Sequence, residues 1–218
     1  MNAYSIQWKV GNIIETPTNE NNLFQQSIIR GLNRIARERR NSQRFLENTS
    51  DFLKDNSIND LALSQICEED MLKIEEYASK LEEISNDLVK CNSQYIKWIR
   101  EDIFEKVRAA KFDHLPSRKN GLWLCELKEV EFWWSTIGKI STKKIFEVKI
   151  NEIGKIHYAE ERFLELNSFS IAEFEQNALS YWGGISDSQE GGIEILYEGQ
   201  LEVVKCYDSL GAWQKVYA

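Results

Sequence analysis

The length, composition and charge of the chain place it among ordinary globular proteins. Its 218 residues are 42% hydrophobic and 28% charged, with only two prolines, so neither a disordered chain nor a fibrous repeat is indicated. The net charge of −8 argues against nucleic-acid binding by the whole surface, although a local basic patch would still be compatible with it. No apolar run approaches the roughly 20 residues that cross a bilayer, so we expect a cytoplasmic protein that does not contact a membrane.

Few residues are suited to a soft metal ion. They are Cys67, Cys91, Cys125, Cys206, His114 and His157. The cysteines are far apart and form no CxxC pair, so we expect no metal site. P-loop, GxGxxG, HExxH and GxSxG patterns are also missing from the sequence, which removes the commonest phosphate-binding and hydrolytic signatures.

The first fifteen residues are typical of a strand or a hairpin. Apolar and aromatic residues alternate with others in the first half, and Gly11-Asn12 supplies a turn. The alternating residues are Tyr4, Ile6, Trp8 and Val10. Residues 16–22 follow as a loop with side chains that can cap a helix.

Residues 23–46 have apolar side chains at helical spacing and an arginine-rich outer surface. The arginines are Arg30, Arg34, Arg37, Arg39, Arg40 and Arg44. Two interpretations stay open. The arginines form a solvated face that pairs with the acidic helix that follows, or they contact phosphates or an acidic partner.

A long apolar seam follows, in which residues recur at alternating spacings of three and four. Its members are Ile74, Tyr77, Leu81, Ile84, Leu88, Cys91, Tyr95 and Trp98. Continued to Val107, the helix would have about 40 residues and measure roughly 60 Å. A helix of that length needs a partner, so we predict an antiparallel helical hairpin at 23–112 with the arginine-rich helix, in which the aromatic residues of the seam belong to the core.

The chain changes character between His114 and Leu124. Pro116 cannot continue a helix and biases the preceding residue towards an extended conformation. Ser117 and Arg118 then precede a Lys-Asn-Gly turn and a short apolar run. A polar pair at the mouth of a buried strand is a favourable place for a binding site, because the strand is rigid and its end is accessible.

Short strands, short helices and tight turns make up the rest. We predict strands at 122–124, 144–150, 154–158 and 193–204, the last with a turn at Gly199, and helices at 128–137 and 170–182. Ser170 and Glu173 would form a capping box, and Gly183-Gly184 would end the second helix. This order predicts an α+β protein whose core, 1–22 and 113–218, carries the hairpin 23–112 as an insertion.

Glu194 is the carboxylate that we select as a candidate for chemistry. It comes early in a strand after a glycine-rich loop and shares a face with Leu196, so it can point into a cleft. The alternatives are structural: Glu194 is an exposed edge-strand residue, Arg118 pairs with a surface acid, Ser117 caps a turn, and Tyr181 is a core aromatic at a helix end.

Four stretches, in this order, resemble a family of uncharacterised bacterial proteins known as DUF2441. They are Tyr4-Ser5-Ile6 with Gly11; Glu105, Arg108 and Pro116-Ser117-Arg118; Ala178, Tyr181, Trp182 and Gly183; and Glu194–Gly199. The resemblance covers the first fifteen residues and about 103–204, and it leaves the hairpin outside.

That family in turn looks like a divergent branch of the ADP-ribosyltransferase fold, in which NAD lies in a cleft between two small sheets. The resemblance implies a small split mixed or antiparallel sheet and an enzyme that uses NAD. It implies a catalytic role for Glu194 and cofactor binding by Tyr4, Ser5, Ser117, Arg118 and Tyr181. A carboxylate near the ribose can stabilise an oxocarbenium-like transition state, and an arginine can bind pyrophosphate bidentately.

The resemblance also implies a macromolecular acceptor and the role of a toxin or antiphage effector, with the hairpin recognising the target or a partner protein. Ser5 stands where the family pattern has a histidine. Three alternatives follow: a weakened enzyme, an enzyme that uses another polar residue, and a nucleotide-binding module without turnover. A non-catalytic protein that binds a protein or nucleic-acid partner through the hairpin is the competing hypothesis.

Overall fold

The computed structural model describes residues 8–16, 25–34, 68–138, 143–165, 170–184 and 192–217. Its strands are β1 Ile13–Glu15, β2 Leu122–Leu124, β3 Ile145–Ile150, β4 Lys155–Glu160, β5 Ile193–Glu198 and β6 Gln200–Tyr207. Its helices are α1 at 25–34, α2 Glu68–Lys111, α3 Val130–Thr136, α4 Ile171–Gly183 and α5 Leu210–Tyr217. The chain divides into two compact units, one of Met1–Gln25 with Ile99–Ala218 and the other of Gln26–Trp98.

Helix α2 is the long helix that the apolar spacing predicted. It has 44 residues, which corresponds to about 66 Å at 1.5 Å per residue, and it ends at Lys111, shortly before Pro116. Gly31 of α1 packs beside it, since a Cβ at Gly31 would lie 3.4 Å from Cγ of Gln94. Residues 35–67 lie outside the described ranges, so the hairpin as a whole stays a prediction. Neither α2 nor any other helix in those ranges combines the length and the apolar character needed to cross a membrane.

The apolar seam of the second unit is more exposed than predicted. Leu88 is 58% exposed, Tyr95 53% and Trp98 39%. The expectation that the seam aromatics belong to a core is therefore wrong for Tyr95 and Trp98. Spacing identifies the residues that share a helix face, but it does not reveal what covers that face.

The first unit contains two antiparallel three-stranded sheets, in the orders β1-β6-β3 and β2-β5-β4. This confirms the α+β class and the small split antiparallel sheet. All four predicted strand regions are present, and the last is divided at Gly199, which has φ of +154°. The turn at Gly11, with φ of +86°, is also confirmed.

Tyr197 lies where the chain passes between the two sheets, once from β3 to β4 and once from β5 to β6. Its hydroxyl donates to the carbonyl of Gln200 at 2.6 Å and accepts from the backbone N–H of Asn151 at 3.1 Å. A Cβ on Gly154 would lie 2.4 Å from the Tyr197 hydroxyl, so glycine is required there. These contacts join the two sheets at the places where the chain crosses from one to the other.

A core of aromatic residues joins β5 to the helices α2 and α4. Its fully or almost fully buried members are Phe104, Ala159, Ala178, Tyr181, Trp182 and Leu196. The Trp182 indole donates to the carbonyl of Phe104 at 2.8 Å, and Gly184 ends α4 with φ of +92°, as predicted. Ser170 is the N-cap residue of α4, but its side chain makes no cap hydrogen bond, so the predicted capping box is not formed.

Candidate active site

The Ser117-Arg118 corner is attached to two successive turns of α2. Glu101 and Glu105 are four residues apart and therefore lie on the same face of the helix. Ser117 Oγ donates to Glu105 Oε1 at 3.0 Å, and Arg118 Nε donates to Glu101 Oε2 at 2.9 Å. Helix α2 thus contacts both residues of the corner through their side chains.

Arg118 brings together residues that are far apart in the sequence. Its Nη1 donates to Glu194 Oε1 and contacts the Tyr181 hydroxyl, both at 2.6 Å. The Tyr181 hydroxyl donates to the same Glu194 oxygen. Glu194 is 5% exposed, Arg118 2% and Tyr181 0%. Three residues selected from the sequence therefore form one buried cluster, contributed by a loop, by the end of α4 and by β5.

Glu101 balances the charge of this cluster with a second arginine. Its Oε1 accepts from Arg100 Nη2 at 2.7 Å, and its Oε2 accepts from Gln25 Nε2 at 3.3 Å. Two guanidinium groups and two carboxylates, Arg100, Arg118, Glu101 and Glu194, are thus buried together. Removing one partner of such a set leaves a buried charge without compensation.

Burial and charge pairing shift the pKa values of Glu101, Arg118 and Tyr181 in this cluster. Burial by itself would raise the pKa of Glu101, but Arg118 and Arg100 outweigh it and hold that pKa below its usual value of 4.5. Burial opposes the charge on Arg118, yet Glu101, Tyr181 and Glu194 hold the pKa of Arg118 well above its usual range. Burial first, and the negative charge of Glu194 next, raise the pKa of Tyr181, although Arg118 acts in the opposite direction. Tyr181 therefore stays a hydroxyl that can donate.

Aromatic rings hold the Arg118 guanidinium in place. Its Cζ lies 4.9 Å from the ring centre of Tyr181, 5.4 Å from that of Trp123 and 5.9 Å from that of Phe104. Cation–π contacts of this kind gain strength when the cation is shielded from water. A fixed Arg118 in turn fixes the Glu194 oxygen to which it donates.

Arg118 and Glu194 line a cavity of about 930 Å³, which is within the usual range for small-molecule sites. Both sheets contribute to its wall, through Trp123, Leu124 and Glu194 on one and through Ile145 to Val148 on the other. Five of the seven tryptophans line it: Trp8, Trp123, Trp133, Trp134 and Trp213. The other charged residues in the wall are Arg100, Lys143, Lys144, Glu147 and Glu161.

Ser117 is not brought to this cavity. It is buried, its backbone N–H donates to Glu198 Oε2 at 2.9 Å, and its Oγ accepts from the backbone N–H of Lys119 at 3.1 Å. This geometry matches the structural alternative, in which Ser117 stabilises a turn. Tyr4 and Ser5 lie outside the described residues, so their predicted roles stay predictions.

The structure also decides between the alternatives for Glu194 and Arg118. Strand β5 lies between β2 and β4, so Glu194 is neither on an edge strand nor exposed. Arg118 is buried in the first unit, and its guanidinium is directed at Glu101, Glu194 and Tyr181. The carboxylates of Glu101 and Glu194 accept hydrogen bonds from this guanidinium, and the predicted bidentate binding of a pyrophosphate by Arg118 stays a prediction.

Sequence reasoning missed Arg100, Glu101 and Glu161. Glu101 carried a usable signal, since its spacing of four from Glu105 predicts two carboxylates on the helix face that leads to the Ser117-Arg118 corner. Glu161 carried none, because its position depends on how β4 pairs with β5. In the part of the chain that the structure describes, no group of three or more His, Cys, Asp or Glu side chains is arranged to hold a metal ion.

His157 supports the cluster from β4. Its Nε2 lies 2.8 Å from the carbonyl oxygen of Tyr181, and its ring centre is 5.5 Å from that of Tyr181 and 5.2 Å from that of Trp182. Burial lowers the pKa of His157 below its usual value of 6.5 and outweighs the opposing effect of this hydrogen bond. A neutral imidazole that donates to the end of α4 fits these surroundings.

Comparison with known proteins agrees with the motifs. No curated protein matches the chain significantly. The model of a family described as "Protein of unknown function (DUF2441)" matches residues 2–209. The match includes the helical region 23–112. The prediction that the family resemblance leaves this region outside was therefore wrong. Because the match spans nearly the whole sequence, the chain belongs to the DUF2441 family.

Proposed function

We propose that this protein is an NAD-dependent ADP-ribosyltransferase whose catalytic carboxylate is Glu194. One observation carries the proposal: Glu194 is held by Arg118 and Tyr181 in the wall of a cavity that two small antiparallel sheets line. In the ADP-ribosyltransferase fold that the motifs resemble, NAD lies between two small sheets. The arrangement of sheets, cavity and carboxylate supports that resemblance independently of the motifs.

The hydrogen bonds of Glu194 suit a role at the ribose. Both groups that donate to it end on Oε1, so among the described contacts Oε2 is the oxygen left for a ligand. When the bond between the ribose C1′ and nicotinamide breaks, positive charge develops on the ribose. A preoriented carboxylate in a water-poor site stabilises such charge by several kcal/mol. Arg118 acts here as a positioning residue for Glu194.

The remaining wall of the cavity supplies groups that suit a dinucleotide. Tryptophan rings can stack on the nicotinamide and adenine rings. Lys143 and Lys144 offer further cations for the pyrophosphate, besides Arg118. Lys143 Nζ lies 2.7 Å from the carbonyl of Trp134, and Lys144 Nζ lies 2.6 Å from Asp208 Oδ1.

The acceptor and the biological role follow from the resemblance alone. The acceptor is a macromolecule, either a protein or a nucleic acid. The biological role is that of a toxin or an antiphage effector. Transfer of labelled ADP-ribose from NAD to a component of a cell lysate would identify the acceptor class. Protease and nuclease treatment of the labelled product separates the two possibilities.

The decisive experiment compares Glu194→Gln with the parent in nicotinamide release and in NAD binding. Glutamine keeps the shape and removes the charge, so we expect turnover to fall about 10²- to 10³-fold, as for loss of one preorganised electrostatic group, with NAD binding retained. Glu202→Gln, an exposed change on β6, is the matched control. A Glu194→Gln protein that consumes NAD as fast as the parent would refute the proposal.

A second candidate function is that of a non-catalytic interaction protein, and the exposed seam in the second unit favours it. Ile74, Leu81, Leu88 and Tyr95 recur every seven residues and are all exposed. In heptad terms they occupy position a. A helix of this pattern normally buries position a against another helix. The exposed seam is therefore suited to packing against a second helix.

The occupant that we propose for the seam is a second copy of the chain. The flanking positions e are Ala78, Ser85 and Asn92, and the flanking positions g are Lys80, Asp87 and Gln94. None of the e positions is charged, so two copies can align in parallel without opposing like charges.

Sedimentation equilibrium of Leu88→Glu and Val89→Glu tests this assignment. Both side chains are exposed, at 58% and 63%, but only Leu88 lies on the seam. We expect Leu88→Glu to abolish self-association and Val89→Glu to preserve it. A parent protein that stays monomeric at high concentration would exclude a second copy as the occupant.

A further inference from the structure

Glu161 is another carboxylate in the wall of the same cavity, besides Glu147 and Glu194. It follows β4 directly, and its backbone N–H donates to the carbonyl of Gly192 at 2.9 Å. In the pairing of β4 with β5, Ala159 lies opposite Glu194. Glu161 is two residues beyond Ala159, at the start of the 3-10 turn Glu161–Leu164 that follows β4, and it lines the cavity together with Glu194.

Glu160, the residue between Ala159 and Glu161, does not take part in the cavity wall. Glu160 is buried, and its Oε2 accepts from Arg162 Nε at 2.5 Å. Glu160 is therefore engaged in an ion pair, whereas Glu161 lies at the cavity wall with Glu194.

Glu161 and Glu194 have opposite surroundings. Glu194 is bound by the guanidinium of Arg118 and by the Tyr181 hydroxyl. Glu161 has Glu165 and Glu194 as negative neighbours, with Arg100 as the cation that partly offsets them. Burial first, and these two carboxylates next, raise the pKa of Glu161. Paired carboxylates whose environments differ in this way commonly divide two roles between them.

We propose that Glu161 is the general base that takes the proton from the attacking acceptor. This inference rests on the proposed transferase function. In the step, the bond between the ribose C1′ and the nicotinamide nitrogen breaks, and its electron pair leaves with neutral nicotinamide. A lone pair of the acceptor oxygen or nitrogen forms the new bond to C1′, and the acceptor proton moves to a Glu161 oxygen. Water as the acceptor gives ADP-ribose by the same step.

Glu194 is poorly suited to act as the general base. Its Oε1 already accepts two hydrogen bonds, and these hold the carboxyl group in one orientation, which suits stabilisation of developing charge. Glu161 has the complementary properties, since negative neighbours strengthen a base. The division assigns stabilisation of the ribose cation to Glu194 and removal of the acceptor proton to Glu161.

Nicotinamide release with water as the acceptor tests the assignment in the full-length protein. We expect Glu161→Gln to lower kcat about 10²- to 10⁴-fold, the usual contribution of a general base, while the KM for NAD stays within about threefold because NAD itself is still bound. Glu161→Asp should restore part of the rate. The acid limb of the pH–rate profile should disappear in Glu161→Gln and persist in Glu165→Gln, which removes a neighbouring charge as a matched control.

Azide distinguishes a proton-transfer role from a structural one, because this anion attacks without a proton to lose. Transfer to azide should proceed at the parent rate in Glu161→Gln and should stay slow in Glu194→Gln. A Glu161→Gln protein that releases nicotinamide to water as fast as the parent overturns the inference and leaves the proposed function intact. Equal loss of water and azide reactions in both Glu161→Gln and Glu161→Asp also overturns it. A parent protein that neither binds nor consumes NAD overturns both proposals.

Discussion

The two compact units differ in where they place charged and apolar side chains. The first unit buries Arg100, Glu101, Arg118 and Glu194 in one cluster, and the second exposes apolar side chains along α2. Globular proteins usually do the opposite in both respects. Buried charges persist where each one is compensated, and an exposed apolar stripe is normal where another molecule covers it. The difference points to a chemical site in the first unit and to an association surface in the second.

Among the changes considered, removing the charge of Glu101 from the buried cluster of the first unit should have the largest effect. Glu101→Gln leaves Arg100 and Arg118 buried without their shared carboxylate, so we expect the free energy of unfolding to fall by about 3–5 kcal/mol. Glu82→Gln is the matched control, because Glu82 lies on the same helix in the second unit and is exposed. We expect that change to stay within about 0.5 kcal/mol.

Urea denaturation of both variants provides the measurement. A loss in Glu101→Gln no larger than in Glu82→Gln would mean that the buried cluster does not need its charge balance. Dependence on salt adds a second criterion, since an exposed pair weakens as salt is raised and a buried one changes much less.

The pH dependence of stability should give a smaller effect. Because burial lowers the pKa of His157 in the folded protein below 6.5, the unfolded chain takes up a proton first as the pH falls. The contribution of His157 to stability is therefore fully present above pH 6.5 and is lost progressively as the pH is lowered towards the folded pKa. Between pH 7.5 and 5.5, the free energy of unfolding should decline in the parent and decline less in His157→Gln.

His114 is the control for this prediction, since its side chain is 72% exposed. His114→Gln should keep the slope of the parent. A slope that is unchanged in His157→Gln would show that His157 is as accessible to protons in the folded state as in the unfolded chain.

Local rules predicted the elements of this fold well. The three-four spacing from Ile74 to Trp98 indicated α2, and a proline ended the helical region because its ring cannot continue a helix. Glycines at 184 and 199 marked the end of α4 and the turn between β5 and β6, where the backbone has positive φ. Each of these features depends on a few neighbouring residues. The capping box at Ser170 failed although its pattern is also local, because matching residue types do not ensure the hydrogen bond.

Contacts between distant residues were predicted only in part. The meeting of Arg118 with Glu194, 76 residues apart, was expected from the family resemblance, whereas the sharing of Arg118 with Glu101 was not. Ser117 was expected in the same cavity as Arg118, but its hydroxyl donates a hydrogen bond to Glu105 instead. Ser117 and Arg118 lie at a turn in which the backbone N–H groups of Asn120 and Gly121 donate to the Ser117 carbonyl. The direction of each side chain there depends on contacts with distant elements, so the sequence could not show which of the two would reach the cavity.

The sequence by itself determined helices α2, α3 and α4, strands β2 to β6 and the turns at Gly11 and Gly199, because backbone preference and apolar periodicity act over a few residues. Helix α5 was not predicted. The tertiary structure alone decided that Glu101 joins the Arg118 cluster, that Glu161 reaches the cavity beside Glu194, and that Tyr95 and Trp98 are exposed. The physical reason is that burial and charge pairing depend on which surfaces meet, and in this chain those surfaces come from segments separated by tens of residues.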